Sequence, residues 1–295
     1  MPVTSGWQSG LSWRTIGCMT RIKDILAWGG GELADAPAGD ARLLLQHVLQ
    51  VNHAYLVAHD QDVLPAEQAK RFRQLIARAK AGEPVPYIIG QAPFFGRDFV
   101  VSPAVLIPRP ETEELVQHAL RWLDEHPGSR VVDVGTGSGC IAVTLAGERP
   151  GIEVAAVDIS AEALIVAREN ARRHDVAHRV HFYQGHLLQP LPAAVDLIIA
   201  NLPYIGTVEW PELAVSVQRY EPPVALQAGE DGLLLIGELL RQAQTKLHPA
   251  GAILLEIGWR QGASTLALAQ KEFPAGEIQL HQDLAGLDRF VTIQL

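Results

Sequence analysis

The chain is predicted to be an α/β protein built on a doubly wound, mostly parallel sheet of seven strands, with a small helical domain ahead of it. Three observations predict this. Short apolar runs alternate with amphipathic stretches from about residue 131 onward. One run, Val131-Val132-Asp133-Val134, passes through Gly135-Thr136-Gly137-Ser138-Gly139 into the helical pattern Cys140-Ile141-Ala142-Val143-Thr144-Leu145-Ala146. Before about residue 82 the apolar residues keep helical spacing.

Size and composition set the bounds. With 295 residues, 48% of them apolar, the chain can bury a substantial core and is long enough for two domains. A formal net charge of −9 argues against binding nucleic acid through the overall field, and fits a protein or small-molecule substrate better. Cys18 and Cys140 stand far apart, in no metal-site or disulfide spacing, so no metal is expected and a reducing cytoplasm is the simplest location. No apolar run is long enough to span a bilayer and the start lacks the apolar block of a secretory signal, so no membrane association is expected. A monomer is the default expectation.

Taken in order, residues 1–18 show little periodicity and are expected to form a disordered leader, with Met19 an alternative start of translation. Residues 19–82 are expected to form a helical domain. Leu43, Leu44, Leu45, Val48 and Leu49 make one apolar stripe, and Phe72, Leu75, Ile76 and Ala79 another. The last helix carries Lys70, Arg71, Arg73, Arg78 and Lys80, which read either as a docking surface or, by preference, as a solvated face. Glu83-Pro84-Val85-Pro86-Tyr87 breaks the helix, and residues 83–108 are read as a hairpin linker. Its Phe94, Phe95 and Phe99 either roof a substrate pocket or, the preferred reading, pack the hairpin. Residues 109–295 form the sheet domain. Pro110 suits the first turn of a helix and Glu111 and Glu113 its dipole. Strands are expected at 131–134, 154–158, 180–183, 196–200, 252–257, 277–281 and 289–294, the last two as a hairpin with one antiparallel strand.

Two motifs carry chemistry. Three glycines at alternate positions, 135, 137 and 139, let the backbone approach a ligand, and free amides at the helix start can hold an electron-rich group, so a nucleotide-like cofactor is expected. The dinucleotide fingerprint has two residues before its last glycine and this chain has one, which favours S-adenosylmethionine over a nicotinamide cofactor. Asp158, ending the second strand, is the expected ribose ligand; capping the helix from Ser160 is its other reading, and both roles are compatible.

The second motif, Asn201-Leu202-Pro203-Tyr204, closes the strand Asp196-Leu197-Ile198-Ile199-Ala200 at the edge where open α/β sheets do chemistry. The Asn201 side-chain oxygen and the Leu202 carbonyl, held outward by Pro203, offer two acceptors for one planar NH2 group, with Tyr204 packing on its flat face. An ordinary strand-terminating turn is the alternative.

With these residues in view, the chain resembles the HemK-type release factor glutamine methyltransferases, over nearly all of its length after Met19. The resemblance rests on Asp40-Ala41-Arg42-Leu43-Leu44-Leu45, Pro86-Tyr87-Ile88, Leu106-Ile107-Pro108-Arg109-Pro110-Glu111-Thr112-Glu113, Asp133 to Ile141, Ala156-Val157-Asp158-Ile159-Ser160, Glu221-Pro222, Glu256-Ile257-Gly258 and Gly286-Leu287-Asp288-Arg289. It implies a class I methyltransferase sheet binding S-adenosylmethionine, a helical domain that docks peptide-chain release factors, and methylation of the glutamine of their Gly-Gly-Gln loop. Asn201, Leu202, Pro203 and Tyr204 are then the catalytic turn; Gly135, Thr136, Gly137, Ser138, Gly139, Asp158, His186, Leu187 and Asn201 the cofactor residues. Two departures stand out. Leu202 occupies a position where the family has proline, although Pro203 still biases Leu202 toward an extended conformation. His186 stands where the family has an acidic residue beside the adenine, and is read either as a pocket residue or, by preference, as part of a surface loop.

A carboxamide nitrogen is a poor nucleophile, so the expected mechanism is to position and polarise it rather than to supply a base. Two rivals remain: an adenine-N6 methyltransferase acting on RNA or DNA, which would use the same amide grip, and a non-catalytic cofactor-binding adaptor. The acidic balance opposes the first, and the intact loop with Asp158 the second.

Overall fold

The computed structural model describes residues 21–295 except 35, 37, 38 and 284; the leader expected at 1–18 lies outside the described residues. The chain divides into two compact units, with the boundary between Ile89 and Gly90.

Among its described residues the first unit holds five helices, α1 (Ile22–Glu32), α2 (Asp40–Leu49), α3 (His53–Ala58), α4 (Ala66–Lys80) and α5 (Val85–Ile89). Its core gathers Ile22 and Ile25 of α1, Leu44 and Val48 of α2, and Phe72 and Ile76 of α4, pairs three or four apart that each share a face of their own helix. Leu43 departs from the expected stripe: it is 44% exposed, and Ala41 takes the inward position. A run of three leucines spans more arc than one face of a helix buries, so the outermost faces water. Much of the basic row on α4 is met by acids, Arg78 by Glu83 and Lys80 by Glu32, each at 2.5 Å, and Lys70 by Glu67 at 3.9 Å. The chain break at Pro84 is followed by the short helix α5, where a hairpin linker was expected to begin.

The second unit opens with the hairpin β1 (Gln91–Phe94) and β2 (Arg97–Val100), turning at Phe95 and Gly96, both with positive φ. Phe94 and Phe99 are buried and meet edge to face at 5.9 Å between ring centroids, which settles the aromatic question in favour of core packing. Then come α6 (Pro110–Glu125), β3 (Arg130–Val134), α7 (Cys140–Glu148), β4 (Glu153–Asp158), α8 (Ala161–Arg173), β5 (Val180–Gln184), β6 (Val195–Ala200), α9 (Val215–Tyr220), α10 (Leu234–Lys246), β7 (Leu247–Glu256), α11 (Gly262–Glu272), β8 (Glu277–Gln282) and β9 (Asp288–Gln294).

Seven of these strands form one sheet in the order β5-β4-β3-β6-β7-β9-β8, with β9 antiparallel to both its neighbours. Alternate residues along each strand supply two cores. Val131, Val154, Leu197, Ile199 and Leu254 face α6 and α7, while Val132, Val157, Ile198, Ile253 and Val291 face α10 and α11. Burial on both faces is why β3 and β6 are mostly apolar, interrupted by Asp133 and Asp196. The strand order reverses between β3 and β6, so the loops after those two strands diverge and leave a crevice at their carboxyl ends. Both sequence motifs lie there.

Candidate active site

The glycine loop adopts the backbone that its sequence calls for. Gly135, Gly137 and Gly139 have φ of +74°, +54° and +79°. A Cβ on Gly135 would stand 3.2 Å from Leu202 Cδ2, and one on Gly139 3.0 Å from Ala167 Cβ, so the loop lies tight against the 201–204 turn and against α8. Beneath it Asp133 is fully buried, and its Oδ2 accepts the Thr136 hydroxyl at 2.6 Å and the Ala142 N–H at 3.1 Å. Burial pushes this carboxyl up to about 7.

At the tip of β4, Asp158 Oδ2 accepts the Gly137 N–H at 2.8 Å and Oδ1 the Ser160 N–H at 2.9 Å. Burial raises its pKa against these backbone donors. Helix α8 is capped by Ser160, whose hydroxyl accepts the Ala163 N–H at 3.1 Å. The capping role considered for Asp158 therefore belongs to Ser160, because the chain turns into helix two residues later and frees the carboxylate for the loop.

A cavity of about 360 Å³ opens between these elements. Gly135, Thr136, Gly137, Ser138, Asp158, His186, Leu187, Asn201 and Pro203 all line it. Gly139 is absent from that lining and serves instead as the N-cap position of α7. His186 thus stands in the cavity wall, against the preferred surface-loop reading, with Nε2 3.1 Å from Glu238 Oε2. Ile159, 56% exposed, adds apolar surface beside Asp158. A carboxylate at a strand tip, a loop of glycines free of Cβ atoms and apolar walls suit a ligand that carries a ribose and a flat ring. Among the described residues no group of three or more His, Cys, Asp or Glu side chains is arranged to hold a metal ion.

The 201–204 turn separates this cavity from a second one of about 370 Å³. Leu106, Arg109, Asn201 and Ala225 line both, whereas Leu202 and Tyr204 line only the second, with Glu209, Glu212, Trp259 and Arg260. Leu202 is 4% exposed and packs on Gly135, which accounts locally for an apolar side chain at that position. Burial raises the Tyr204 phenol, keeping it neutral. Gln261 holds the turn's far side: its Nε2 donates to the carbonyls of Tyr204 at 2.8 Å and Asp231 at 3.1 Å, while its Oε1 accepts the Gly258 N–H at 2.9 Å.

Several contributors carried no role in the sequence reading. Asn201 Nδ2 donates to Thr112 Oγ1 at 3.1 Å, and the Thr112 hydroxyl donates to Glu256 Oε2 at 2.7 Å. Thr112 and Glu256 are each 2% exposed, and burial pushes Glu256 up to about 7. Arg109 grips both oxygens of the buried Glu221 through Nη2, at 2.6 and 2.8 Å. The signals in the sequence were the stretches Leu106 to Glu113, Glu221-Pro222 and Glu256-Ile257-Gly258, which carried the resemblance with no role attached to Thr112, Glu221 or Glu256.

Fold and site together define a methyltransferase. A methyltransferase domain model matches residues 125–283, and the PrmC N-terminal domain model matches residues 24–90. The relatives narrow this further. The chain is 44% identical to the release factor glutamine methyltransferase of Bordetella pertussis, over 92% of this chain and 98% of that protein. Its identity to the enzymes of the same name from Nitratidesulfovibrio vulgaris and Bacillus subtilis is 42% and 40%, covering 87% and 92% of this chain and 88% and 97% of theirs. The chain belongs to the release factor glutamine methyltransferase family. Among solved structures, the hMettl16 catalytic domain in complex with a 3′UTR hairpin covers 88% of this chain and 92% of its own, with a TM-score of 0.54 at 14% identity, a likeness of fold alone.

Proposed function

We propose that this protein transfers a methyl group from S-adenosylmethionine to the side-chain amide nitrogen of the glutamine in the Gly-Gly-Gln loop of peptide-chain release factors. The observation that carries the reading is the position of Asn201 on the wall common to two cavities, one framed by the glycine loop and Asp158, the other by Tyr204 and Trp259. In this reading the first holds the cofactor and the second the glutamine. Asp158 accepts the ribose hydroxyls, Ile159 and Leu187 bracket the adenine, and His186 stands beside its edge. Family membership supports the choice of substrate, and the helical unit ending at Ile89 is assigned to docking the release factor. A target that works in translation termination places the protein in the cytoplasm.

When bound, S-adenosylmethionine supplies an electrophilic methyl group on a sulfonium. The chain's own work is to make an amide nitrogen reactive. Asn201 Oδ1 and the Leu202 carbonyl accept its two N–H bonds and hold its lone pair in line with the methyl carbon. As the nitrogen takes the methyl group that bound S-adenosylmethionine would supply, the same two acceptors would stabilise the positive charge growing on nitrogen, which would then lose a proton to solvent. Leu202 and Pro203 keep the carbonyl extended, and Tyr204 covers the flat face of the amide.

The test is transfer of label from methyl-labelled cofactor to a bacterial release factor, to the same factor with its loop glutamine changed to alanine, and to total ribosomal RNA. Label on the unaltered factor alone is expected. Label on RNA would replace this reading with an adenine methyltransferase, and no label anywhere would leave a cofactor-binding adaptor.

A further inference from the structure

The grip on the glutamine works only if Asn201 presents its oxygen to the substrate, and an isolated carboxamide can turn its NH2 there equally well. What decides between the two orientations begins in the cavity wall, at Thr112. Glu256 ends β7 with its carboxylate 2% exposed, and its Oε2 lies 2.7 Å from the Thr112 hydroxyl; Thr112, in the first turn of α6 and equally buried, lies 3.1 Å from Asn201 Nδ2. A carboxylate has only lone pairs, so the hydroxyl must spend its single proton on Glu256 and can only accept from Asn201. The end of Asn201 that can meet that acceptor is the NH2, which leaves Oδ1 on the opposite side. Turning the amide over would set its oxygen against the hydroxyl oxygen with no hydrogen between them, which leaves a buried polar atom unpaired.

We propose that Glu256 and Thr112 form a two-step hydrogen-bond relay that sets the amide of Asn201 with its oxygen toward the substrate cavity, making them positioning residues for methyl transfer. The inference rests on the reading of Asn201 given above. Residues 112 and 256 reach the same point from opposite ends of the domain, α6 and β7, so the orientation of Asn201 is held by the fold and not by its own turn. Protonation of Glu256 undoes the logic, since a carboxylic acid can donate to the hydroxyl and let the chain run backwards. The charged and titratable groups facing Glu256 are Arg109 and Glu111 at the start of α6, Tyr204 after β6, Cys140 at the start of α7 and Arg289 on β9. Burial nevertheless dominates its titration.

The full-length protein tests this with Thr112→Val, which keeps the shape and removes the hydroxyl, and Thr112→Ser, which keeps the hydroxyl. With release factor as substrate, Thr112→Val is expected to lower kcat by roughly ten- to a hundredfold, as for loss of an oriented transition-state acceptor, with the cofactor Kd within about twofold of the parent by calorimetry. Thr112→Ser is expected to recover kcat to within about threefold. In the parent, kcat should fall as the pH drops below about 7, where Glu256 gains its proton; in Thr112→Val that limb should be missing. A readout independent of turnover is the side-chain amide resonance of Asn201, assigned by its loss in Asn201→Ala, which should move in Thr112→Val and return in Thr112→Ser. The inference is overturned if the parent methylates the factor and Thr112→Val matches it, or if Thr112→Ser fails to rescue, or if both share one pH profile. If the parent itself transfers no label to the factor, it is the functional reading that fails, while the amide resonance still reports on the relay.

Discussion

Asp158 and Gly137 are joined on one side of the crevice: the carboxylate at the tip of β4 accepts the N–H of the central glycine of the loop at 2.8 Å. Its other oxygen is tied to the Ser160 N–H, and the Gly135 and Thr136 N–H groups donate to the Val157 carbonyl, so the loop is pinned to the end of β4. Asp158 and the glycine loop are one mechanical unit. Asp158→Ala should therefore weaken cofactor binding more than loss of one ligand contact would. Charge-assisted hydrogen bonds contribute about 1.5–3 kcal/mol each, so the Kd measured by calorimetry should rise by at least about tenfold. A Kd unchanged within error would remove Asp158 from the binding site.

Asn201→Ala removes one of the two acceptors proposed for the reacting amide while leaving the glycine loop intact. Turnover of release factor should fall about a hundredfold, the cost on the order of 3 kcal/mol of losing one preorganised transition-state partner. The cofactor Kd should change by no more than a few fold. Activity retained in this variant would sink the role given to the turn.

Gly139 has φ of +79° and no room for a methyl group, with Ala167 Cβ 3.0 Å from where its Cβ would sit. Gly139→Ala combines left-handed strain of about 1–2 kcal/mol with a clash against α8. A fall in Tm of several degrees is expected by calorimetry. Gly151→Ala is the control, since nothing lies within 4 Å of its would-be Cβ, and it should shift stability by less than about 0.5 kcal/mol.

Arg109 and Glu221 tie the start of α6 to the segment that follows α9, and the glutamate side chain is 2% exposed against 34% for the arginine. Arg109→Met leaves a buried carboxylate without its partner. The expected loss is about 2 kcal/mol by chemical denaturation, below the range for fully buried pairs because Arg109 is partly open to solvent. Adding Glu221→Leu should recover part of it, because an apolar pair no longer carries an unmatched charge. A double variant as unstable as the sum of the single ones would contradict that account.

Asp133 and Glu256 both have carboxyls pushed up to about 7 by burial, from ordinary values of 3.8 and 4.5. A folded-state pKa above the unfolded one means that the folded protein holds the proton more tightly across that interval. Each group then favours folding most below its unfolded pKa, and that contribution is lost as the pH rises to about 7 and beyond. Tm should fall as the pH rises from 4.5 to about 7, the interval between the ordinary and the shifted values. Asp133→Asn keeps an acceptor for Thr136 and Ala142 and cannot titrate, so its Tm should depend less steeply on pH. An unchanged slope would assign the effect elsewhere.

The positions of the strands were legible because burial on both faces leaves continuous apolar runs, and the loop at 135–139 because only glycine tolerates the backbone it adopts. Asn201 and Asp158 were legible for a related reason: each ends an apolar strand, and strand ends in such a sheet converge on one crevice. The outward turn of Leu43 was not, since Leu43 and its neighbours are chemically alike and only the packing of α2 says which one faces water.

What the chain determines by itself is local, set by periodicity and backbone sterics: the order of strands and helices, the glycine loop, and the polar residue at each strand tip. Which end of the Asn201 amide faces the cavity was decided by the tertiary structure alone. Thr112 and Glu256 are 144 residues apart and Arg109 and Glu221 are 112 apart, and a hydrogen bond between side chains so distant leaves no periodic trace in sequence. Only the folded sheet, by burying those groups where water cannot satisfy them, forces each to find the other.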